Sequence, residues 1–145
     1  MRMLVIGVIV AVGVAIAAIA AIPRGDEPPV AVSGTEAGQL SERYQPYSAQ
    51  ALADAGPDDT VVLFFSAVWC STCKVLRDDI AANQDAIPDD VRILIVDFDD
   101  STELKQRYGV VYQHTLVQVD RTGRGIARWE LSRSLAELLA TIIEV

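Results

Sequence analysis

The feature that most constrains the fold is an apolar run at residues 61–65 that leads into two closely spaced cysteines. The run reads VVLFF, and Cys70 and Cys73 follow within the segment WCSTCK. An uninterrupted apolar run of this length is typical of a strand that is buried on both faces. If a helix follows, Cys70 lies at its N-terminus, where free backbone N–H groups favour a thiolate, and Cys73 lies one turn later. The spacing therefore predicts a strand–helix unit that carries a redox-active dithiol.

Two other interpretations of this pair stay open at the level of sequence. The cysteines could be half of a zinc site, or two small buried residues without chemistry. The chain has no third cysteine and a single histidine, His114, so carboxylates would have to complete a four-ligand zinc site. A dithiol that exchanges disulfides needs no further ligand, and a C-x-x-C motif beside a predicted strand–helix unit favours it.

The charge of the chain argues against nucleic acid as a partner. The 145 residues include 20 acidic and 12 basic side chains, which gives a formal net charge of -8. Sequence-independent binding to nucleic acid depends on basic side chains that neutralise phosphates. We therefore expect no nucleic-acid partner, and the length of the chain predicts a single domain of about a hundred residues.

The N-terminal segment has the character of a membrane anchor. Residues 3–22 carry no charge and are almost entirely apolar. About 20 such residues, at 1.5 Å rise each, span the roughly 30 Å hydrocarbon core of a bilayer. Arg2 precedes the segment, whereas Arg24 is soon followed by acidic residues, which places the N-terminus in the cytoplasm. Residues 1–22 are thus predicted to be a single-pass cell-membrane anchor with the C-terminal domain outside the cytoplasm.

A cleaved signal peptide is the competing interpretation of the same segment. Residues 18–20 read AIA and resemble a small-x-small cleavage site. The apolar core of a signal peptide usually has about 7–15 residues. The stretch here is longer, which favours an uncleaved anchor. Both interpretations export the domain.

The segment after the anchor differs from it in composition, and predicted helices and strands follow this segment. Residues 23–43 are rich in proline and glycine and predict a flexible linker, so we place the folded domain at residues 44–145. The predicted elements are a short helix within 44–55, a strand at 60–66, a helix at 71–86, a strand at 91–96, a helix at 101–108, strands at 115–120 and 125–131, and a final helix.

Local signals support these elements. The helix at 71–86 is expected to bury Val75, Leu76, Ile80 and Ala81, and Ser134 with Glu137 forms a capping box for the final helix. Parallel strands followed by a hairpin predict an α/β fold, with a mixed sheet of four to five strands that is flanked by helices.

Several motifs together resemble the thioredoxin family, from about residue 51 to residue 145. They are WCSTCK at 69–74, VDFD at 96–99, YGV at 108–110 and the threonine that opens the hairpin. The resemblance implies a thioredoxin-like fold and a thiol–disulfide oxidoreductase that needs no cofactor. It implies that Cys70 is the nucleophile and Cys73 the resolving thiol. It also implies that Trp69, His114 and Thr115 flank the site where partner chains bind.

Two positions depart from the family pattern. Members usually carry a cis-proline before Thr115, and this chain has His114 there. A cis bond without proline costs about 2.5–4 kcal/mol, so we expect the peptide between Gln113 and His114 to be trans. Many members also carry a buried aspartate beneath the cysteines, where this chain has Phe64, which cannot accept a proton.

The histidine opens an alternative function. By the resemblance, His114 lies beside the thiols, and Cys70, Cys73 and His114 would then offer two thiolates and an imidazole. That set suits copper(I) or zinc, as in a metal-binding chaperone.

The expected activity is disulfide exchange with partner proteins that contain disulfides or dithiols. The resemblance to tethered thioredoxins that serve cytochrome c maturation favours the reducing direction, with a membrane partner as the possible electron donor. A catalytically idle adaptor that keeps the fold for protein binding is a third alternative.

Overall fold

A computed structural model describes residues 40–144. The predicted anchor at residues 1–22 and nearly all of the predicted linker lie outside the described residues. The described elements are β1 (Tyr44–Pro46), α1 (Ala49–Ala53), β2 (Thr60–Ser66), α2 (Ser71–Ala82), a 3₁₀ helix (Gln84–Ala86), β3 (Val91–Asp97), α3 (Thr102–Tyr108), β4 (Thr115–Val119), β5 (Gly125–Glu130) and α4 (Leu135–Thr141). Within residues 40–144, no helix combines the length and apolar character that crossing a membrane requires.

The five strands form one mixed sheet in the order β1-β3-β2-β4-β5. The central strand β2 pairs in parallel with β3 and antiparallel with β4. β1 adds a parallel edge, and β5 closes the other side as the second strand of a hairpin. The predicted mixed α/β sheet is confirmed, with five strands.

Both faces of β2 are buried, which explains why its sequence is continuously apolar rather than alternating. Val62 and Phe64 face one core cluster, which includes residues of α2 and α4. Val61, Leu63 and Phe65 face a second cluster, which includes residues of α1 and α3. This strand therefore lies at the centre of the domain, and its C-terminal end leads to the cysteine motif from a buried position.

The segment predicted as one short helix at 44–55 is instead a strand and a helix. Tyr44 is 2% exposed and pairs with Ile93, so the start of the segment belongs to the sheet. Pro46 is compatible with this strand because it lies at the edge of the sheet. The helix begins only after Ser48, whose Oγ accepts a hydrogen bond from the N–H of Ala51.

Helix α2 begins where the cysteine motif predicted and ends earlier than expected. It stops at Ala82, and a separate 3₁₀ turn follows before Pro88. Leu76 and Ile80 are fully buried as predicted, but Val75 is 57% exposed, so its predicted burial is wrong. The buried stripe of α2 runs through Cys73, Leu76 and Ile80, and Val75 lies beside this stripe, next to the cavity described below.

The predicted ends of the later elements are largely confirmed. Helix α3 stops at Gly109, which adopts the left-handed conformation at φ 63°. Ser134 caps α4 by accepting from the N–H of Glu137 at 3.2 Å. The Glu137 carboxylate returns to the N–H of Arg133 rather than to that of Ser134, so the capping box closes one residue further out than the usual motif.

Candidate active site

The cysteine pair lies where β2 gives way to α2. Cys70 is the N-cap of α2, and its Sγ accepts a hydrogen bond from the N–H of Cys73 at 3.1 Å. The two sulfurs are joined in a disulfide, with the Cα atoms 5.2 Å apart. Cys70 is 5% exposed and Cys73 is completely buried. The pair is therefore a redox dithiol in its oxidised form, with Cys70 nearer to the surface.

The local electrostatics favour a thiolate at Cys70 once the disulfide is reduced. The first turn of α2 directs unpaired backbone N–H groups toward this sulfur, and the helix dipole adds a partial positive charge. The nearest lysine along the helix, Lys74, is instead bound to Asp78 at 2.7 Å on the exposed surface. The helix terminus thus supplies stabilisation that does not depend on a lysine.

Trp69 presents its ring to solvent beside the disulfide. The side chain is 61% exposed, although large aromatic rings usually contribute to a core. Its Nε1 donates a hydrogen bond to the Asp99 carboxylate at 2.9 Å, which restrains the orientation of the indole. An exposed and anchored indole is suited to contacting an incoming chain.

His114 lies in the loop that approaches the disulfide, and it is 2% exposed. The peptide that precedes it is trans, as the sequence predicted, because the described residues contain no cis peptide bond. Its backbone has φ 61°, a left-handed conformation that histidine adopts more readily than most residues. The N–H of His114 donates to the carbonyl of Phe65 at 2.8 Å, and its carbonyl accepts from the N–H of Leu131 at 3.2 Å.

The hydrogen bonds of the imidazole fix its tautomer. Nε2 lies 2.8 Å from the carbonyl oxygen of Ser132, and a carbonyl only accepts, so Nε2 carries the proton. Nδ1 therefore accepts from the hydroxyl of Thr72 at 3.0 Å. The same hydroxyl oxygen lies 3.3 Å from the Sγ of Cys70. The Thr72 hydroxyl thus donates to the imidazole, and its oxygen contacts the outer sulfur.

The imidazole is neutral in this environment. Burial lowers the pKa of His114 below its ordinary value of 6.5, and the hydrogen bond with Ser132 offsets this only in part. Its ring is 5.4 Å from the ring of Phe64, centre to centre. Phe64 is fully buried beneath the site, as expected from its position, and it leaves this side of the cysteines without a carboxylate.

Thr115 is placed beneath the loop rather than at its surface. It is 1% exposed, and its hydroxyl donates to the carbonyl of Tyr112 at 2.7 Å. Its backbone pairs with Phe65 on one side and with Glu130 on the other. Thr115 therefore shapes the loop that carries His114, and its hydroxyl is used within that loop.

Sequence reasoning missed three residues that complete the surroundings of the site. Thr72 lies inside the C-x-x-C motif, and its hydroxyl could have been noted there. Ser132 contributes only a backbone carbonyl to His114, which leaves no signal in the sequence. Leu131 has φ 64° and is 60% exposed. Together with four neighbours it borders a mainly apolar cavity of about 340 Å³, which is lined by Thr72, Val75, His114, Leu131 and Arg133.

The family model described as Thioredoxin matches residues 44–144 of this chain. The chain belongs to the thioredoxin family. The match includes the strand–helix unit with its C-x-x-C disulfide, and the protein is a thiol–disulfide oxidoreductase of the thioredoxin type, which acts without a cofactor.

Solved thioredoxin structures agree with the family assignment. Trxlp from Edwardsiella tarda EIB202 is 28% identical, with a TM-score of 0.53 over 65% of this chain and 92% of that one. The thioredoxin of Malassezia sympodialis, Mala s 13, is 26% identical, with a TM-score of 0.53 over 66% of this chain and 87% of its own. The thioredoxin of Fasciola hepatica is 26% identical, with a TM-score of 0.53 over 64% and 86%. No curated protein sequence matches this chain.

The hydrogen bond from the Thr72 hydroxyl to Nδ1 of His114 makes a testable contribution to stability. In Thr72→Val the buried Nδ1 of His114 loses its donor while the shape of the side chain is kept. We expect the free energy of unfolding of the disulfide form to fall by about 1–3 kcal/mol, the usual cost of an unsatisfied buried acceptor. Urea unfolding of the full-length protein measures this change in the free energy of unfolding. Thr72→Ser retains the hydroxyl and is the matched control. Equal stability of the two variants would show that this hydrogen bond contributes nothing.

Proposed function

We propose that this thioredoxin is tethered to the membrane, acts outside the cytoplasm and reduces disulfides of partner proteins, with Cys70 as the nucleophile. The observation that carries the assignment of roles is the difference between the two sulfurs. Cys70 caps a helix and is 5% exposed, whereas Cys73 is completely buried. A partner's sulfur can approach only the outer cysteine of such a pair.

The exchange follows from this arrangement. The Cys70 thiolate attacks one sulfur of a partner disulfide, forms a mixed disulfide and releases the partner's other sulfur as a thiolate, which takes up a proton. Cys73 then gives up its proton and attacks Cys70 Sγ, which frees the partner's second thiol and leaves the Cys70–Cys73 disulfide seen here. Two electrons pass from the cysteine pair to the partner.

The exposed apolar surface around the disulfide suits a protein substrate. Trp69, Val111 and Tyr112 are all more than half exposed and lie on segments that border the cysteine pair. A mainly apolar cavity also lies beside Thr72 and His114. Aromatic side chains of this kind are enriched in protein interfaces, so the same face can hold a partner while the sulfurs react.

The location outside the cytoplasm rests on the sequence of the N-terminal segment. Residues 3–22 are long and apolar enough to span a bilayer, and the basic residue before them favours a cytoplasmic N-terminus. The compartment beyond the membrane is oxidising, so a reductant there has to be reduced again. A dithiol on a membrane partner is the class of electron donor that fits.

The assignment of Cys70 and Cys73 is tested with a trap. In Cys73→Ser the mixed disulfide through Cys70 cannot be resolved, so the full-length protein should accumulate covalent complexes with partner proteins. Non-reducing electrophoresis and mass spectrometry detect the complexes, which should disappear on treatment with dithiothreitol. Cys70→Ser is the matched control and should give none. The opposite result, with complexes only in Cys70→Ser, would reverse the two roles.

The direction of exchange is tested by the reduction potential of the cysteine pair. A reductant should equilibrate nearer to about -270 mV, the value typical of thioredoxin, than to about -120 mV, which is typical of a strong oxidant. Equilibration of the full-length protein in dithiothreitol buffers, followed by thiol alkylation and mass measurement, gives the value. A potential close to the oxidant value would overturn the reducing role and leave disulfide exchange itself intact.

The location is tested by two reporters fused to the C-terminus and expressed in a bacterium. Alkaline phosphatase is active only outside the cytoplasm, whereas green fluorescent protein exported in an unfolded state does not fluoresce. We expect an active phosphatase, a dark fluorescent protein and a membrane-bound chain that retains Met1. Loss of residues 1–22 from the mature chain would instead identify a cleaved signal peptide, and a fluorescent fusion would contradict export.

A further inference from the structure

The site brings together three donor atoms that can bind a metal. The Sγ atoms of Cys70 and Cys73 and one imidazole nitrogen of His114 all lie within 4.8 Å of one another, and all three residues are buried. Within residues 40–144, no other group of three or more histidine, cysteine or acidic side chains has this geometry. Disulfide exchange uses the two sulfurs but requires no imidazole, so the histidine needs a separate explanation.

The tautomer of His114 leaves the correct nitrogen available. The proton on Nε2 is held by the carbonyl of Ser132, so Nδ1 presents its lone pair toward Thr72 and the sulfurs. Histidines that bind metals usually donate their other ring N–H to a carbonyl or a carboxylate, which fixes the orientation of the ring. The bond to Ser132 has this form and exists before any metal arrives.

The Thr72 hydroxyl that is hydrogen-bonded to Nδ1 can be displaced at little cost in free energy. Thr72 is an exposed residue, so its hydroxyl can turn to water when another group takes its place beside the imidazole. His114 itself has far less freedom, since its ring is buried and its backbone is hydrogen-bonded on both sides. The nitrogen is therefore preorganised, and only a surface hydroxyl has to move.

The backbone supplies an independent observation. His114 is held at φ 61°, a conformation that costs non-glycine residues free energy and that tends to persist at functional sites and ligand clamps. The side chain at this position lies beside the cysteines.

We propose that the reduced protein binds one copper(I) ion through Cys70 Sγ, Cys73 Sγ and His114 Nδ1. Two thiolates and an imidazole are soft to borderline ligands, which copper(I) prefers. Structural zinc sites almost always have four ligands, and the described residues supply only three at this position. Zinc bound by these three ligands would need water as a fourth, so the set, with its two soft thiolates, suits copper(I) better than a structural zinc ion.

The charges of the complex are also favourable. Two thiolates, one copper(I) and a neutral imidazole carry a net charge of minus one, close to the N-terminus of α2, where a helix stabilises negative charge. Phe64 takes up the position beneath the site, so no carboxylate there opposes this charge.

The balance of the reaction is simple. A dithiol or a phosphine first supplies two electrons, and the disulfide takes up two protons to become two thiols. Copper(I) binding then releases those two protons, and the metal keeps its oxidation state. The bound ion occupies both sulfurs, so metal binding and disulfide exchange exclude each other in one molecule.

The test is a titration of the reduced full-length protein with copper(I), without oxygen, in a phosphine reductant and with bicinchoninate as the competing chelator. We expect one ion per chain and protection of both thiols from alkylation. His114→Asn removes the imidazole, and asparagine also tolerates the left-handed backbone conformation, so the loop can keep its shape. This variant should bind copper(I) at least 10-fold more weakly, because even the loss of a supporting contact around a metal costs 10–100-fold, as an order of magnitude. Unchanged affinity in this variant would overturn the imidazole ligand.

X-ray absorption at the copper edge of the wild-type protein tests the site without any variant. The chain contains one histidine, so any imidazole scattering must come from His114. Two sulfurs and one nitrogen around copper would support the proposal, whereas two sulfurs alone, or no binding in competition with bicinchoninate, would overturn it. Displacement of copper(I) by equimolar zinc would also overturn it. Disulfide exchange by the metal-free protein is measured separately, so a failed titration does not bear on the proposed function.

Discussion

The hydrogen bond from the N–H of His114 to the carbonyl of Phe65 is the contact on which the arrangement of the site depends. Phe65 belongs to the central strand β2, which is buried on both faces and leads directly to Cys70. One backbone bond therefore ties the loop that carries the imidazole to the strand that carries the cysteines. The loop keeps its place against the disulfide with a trans peptide and without the proline that usually shapes it in this family.

The interior of the site is poor in charge for two reasons. Phe64 lies where many thioredoxins have a buried carboxylate, and it pairs with Ile95 on the neighbouring strand. His114 is neutral because burial lowers its pKa. Stabilisation of a Cys70 thiolate then depends mainly on the N-terminus of α2, whose Cys73 N–H donates to Cys70 Sγ, and on the Thr72 hydroxyl, which lies 3.3 Å from the same sulfur.

Local signals made most of the fold predictable, and non-local contacts explain what was missed. The apolar run of β2, the left-handed stop at Gly109 and the cap at Ser134 depend on neighbours in sequence, so their patterns could be read directly. Strand β1 has three residues and exists because Tyr44 pairs with Ile93, far along the chain. In the same way, the approach of His114 to the cysteines could be inferred from the family pattern, but its tautomer depends on Ser132, which no pattern indicates.

The replacement of proline by histidine changes what this loop contributes. A proline supplies only shape, whereas an imidazole adds a lone pair that faces the sulfurs and a proton that anchors the ring to Ser132. In the disulfide form this lone pair is satisfied by Thr72, so the histidine adds no unpaired polar atom to the oxidised protein. Reduction frees two sulfurs beside the same nitrogen. The donor set is therefore assembled only in the reduced state. A metal bound there would occupy the thiols that disulfide exchange requires. The redox state of the cysteine pair thus determines whether the site can bind a metal.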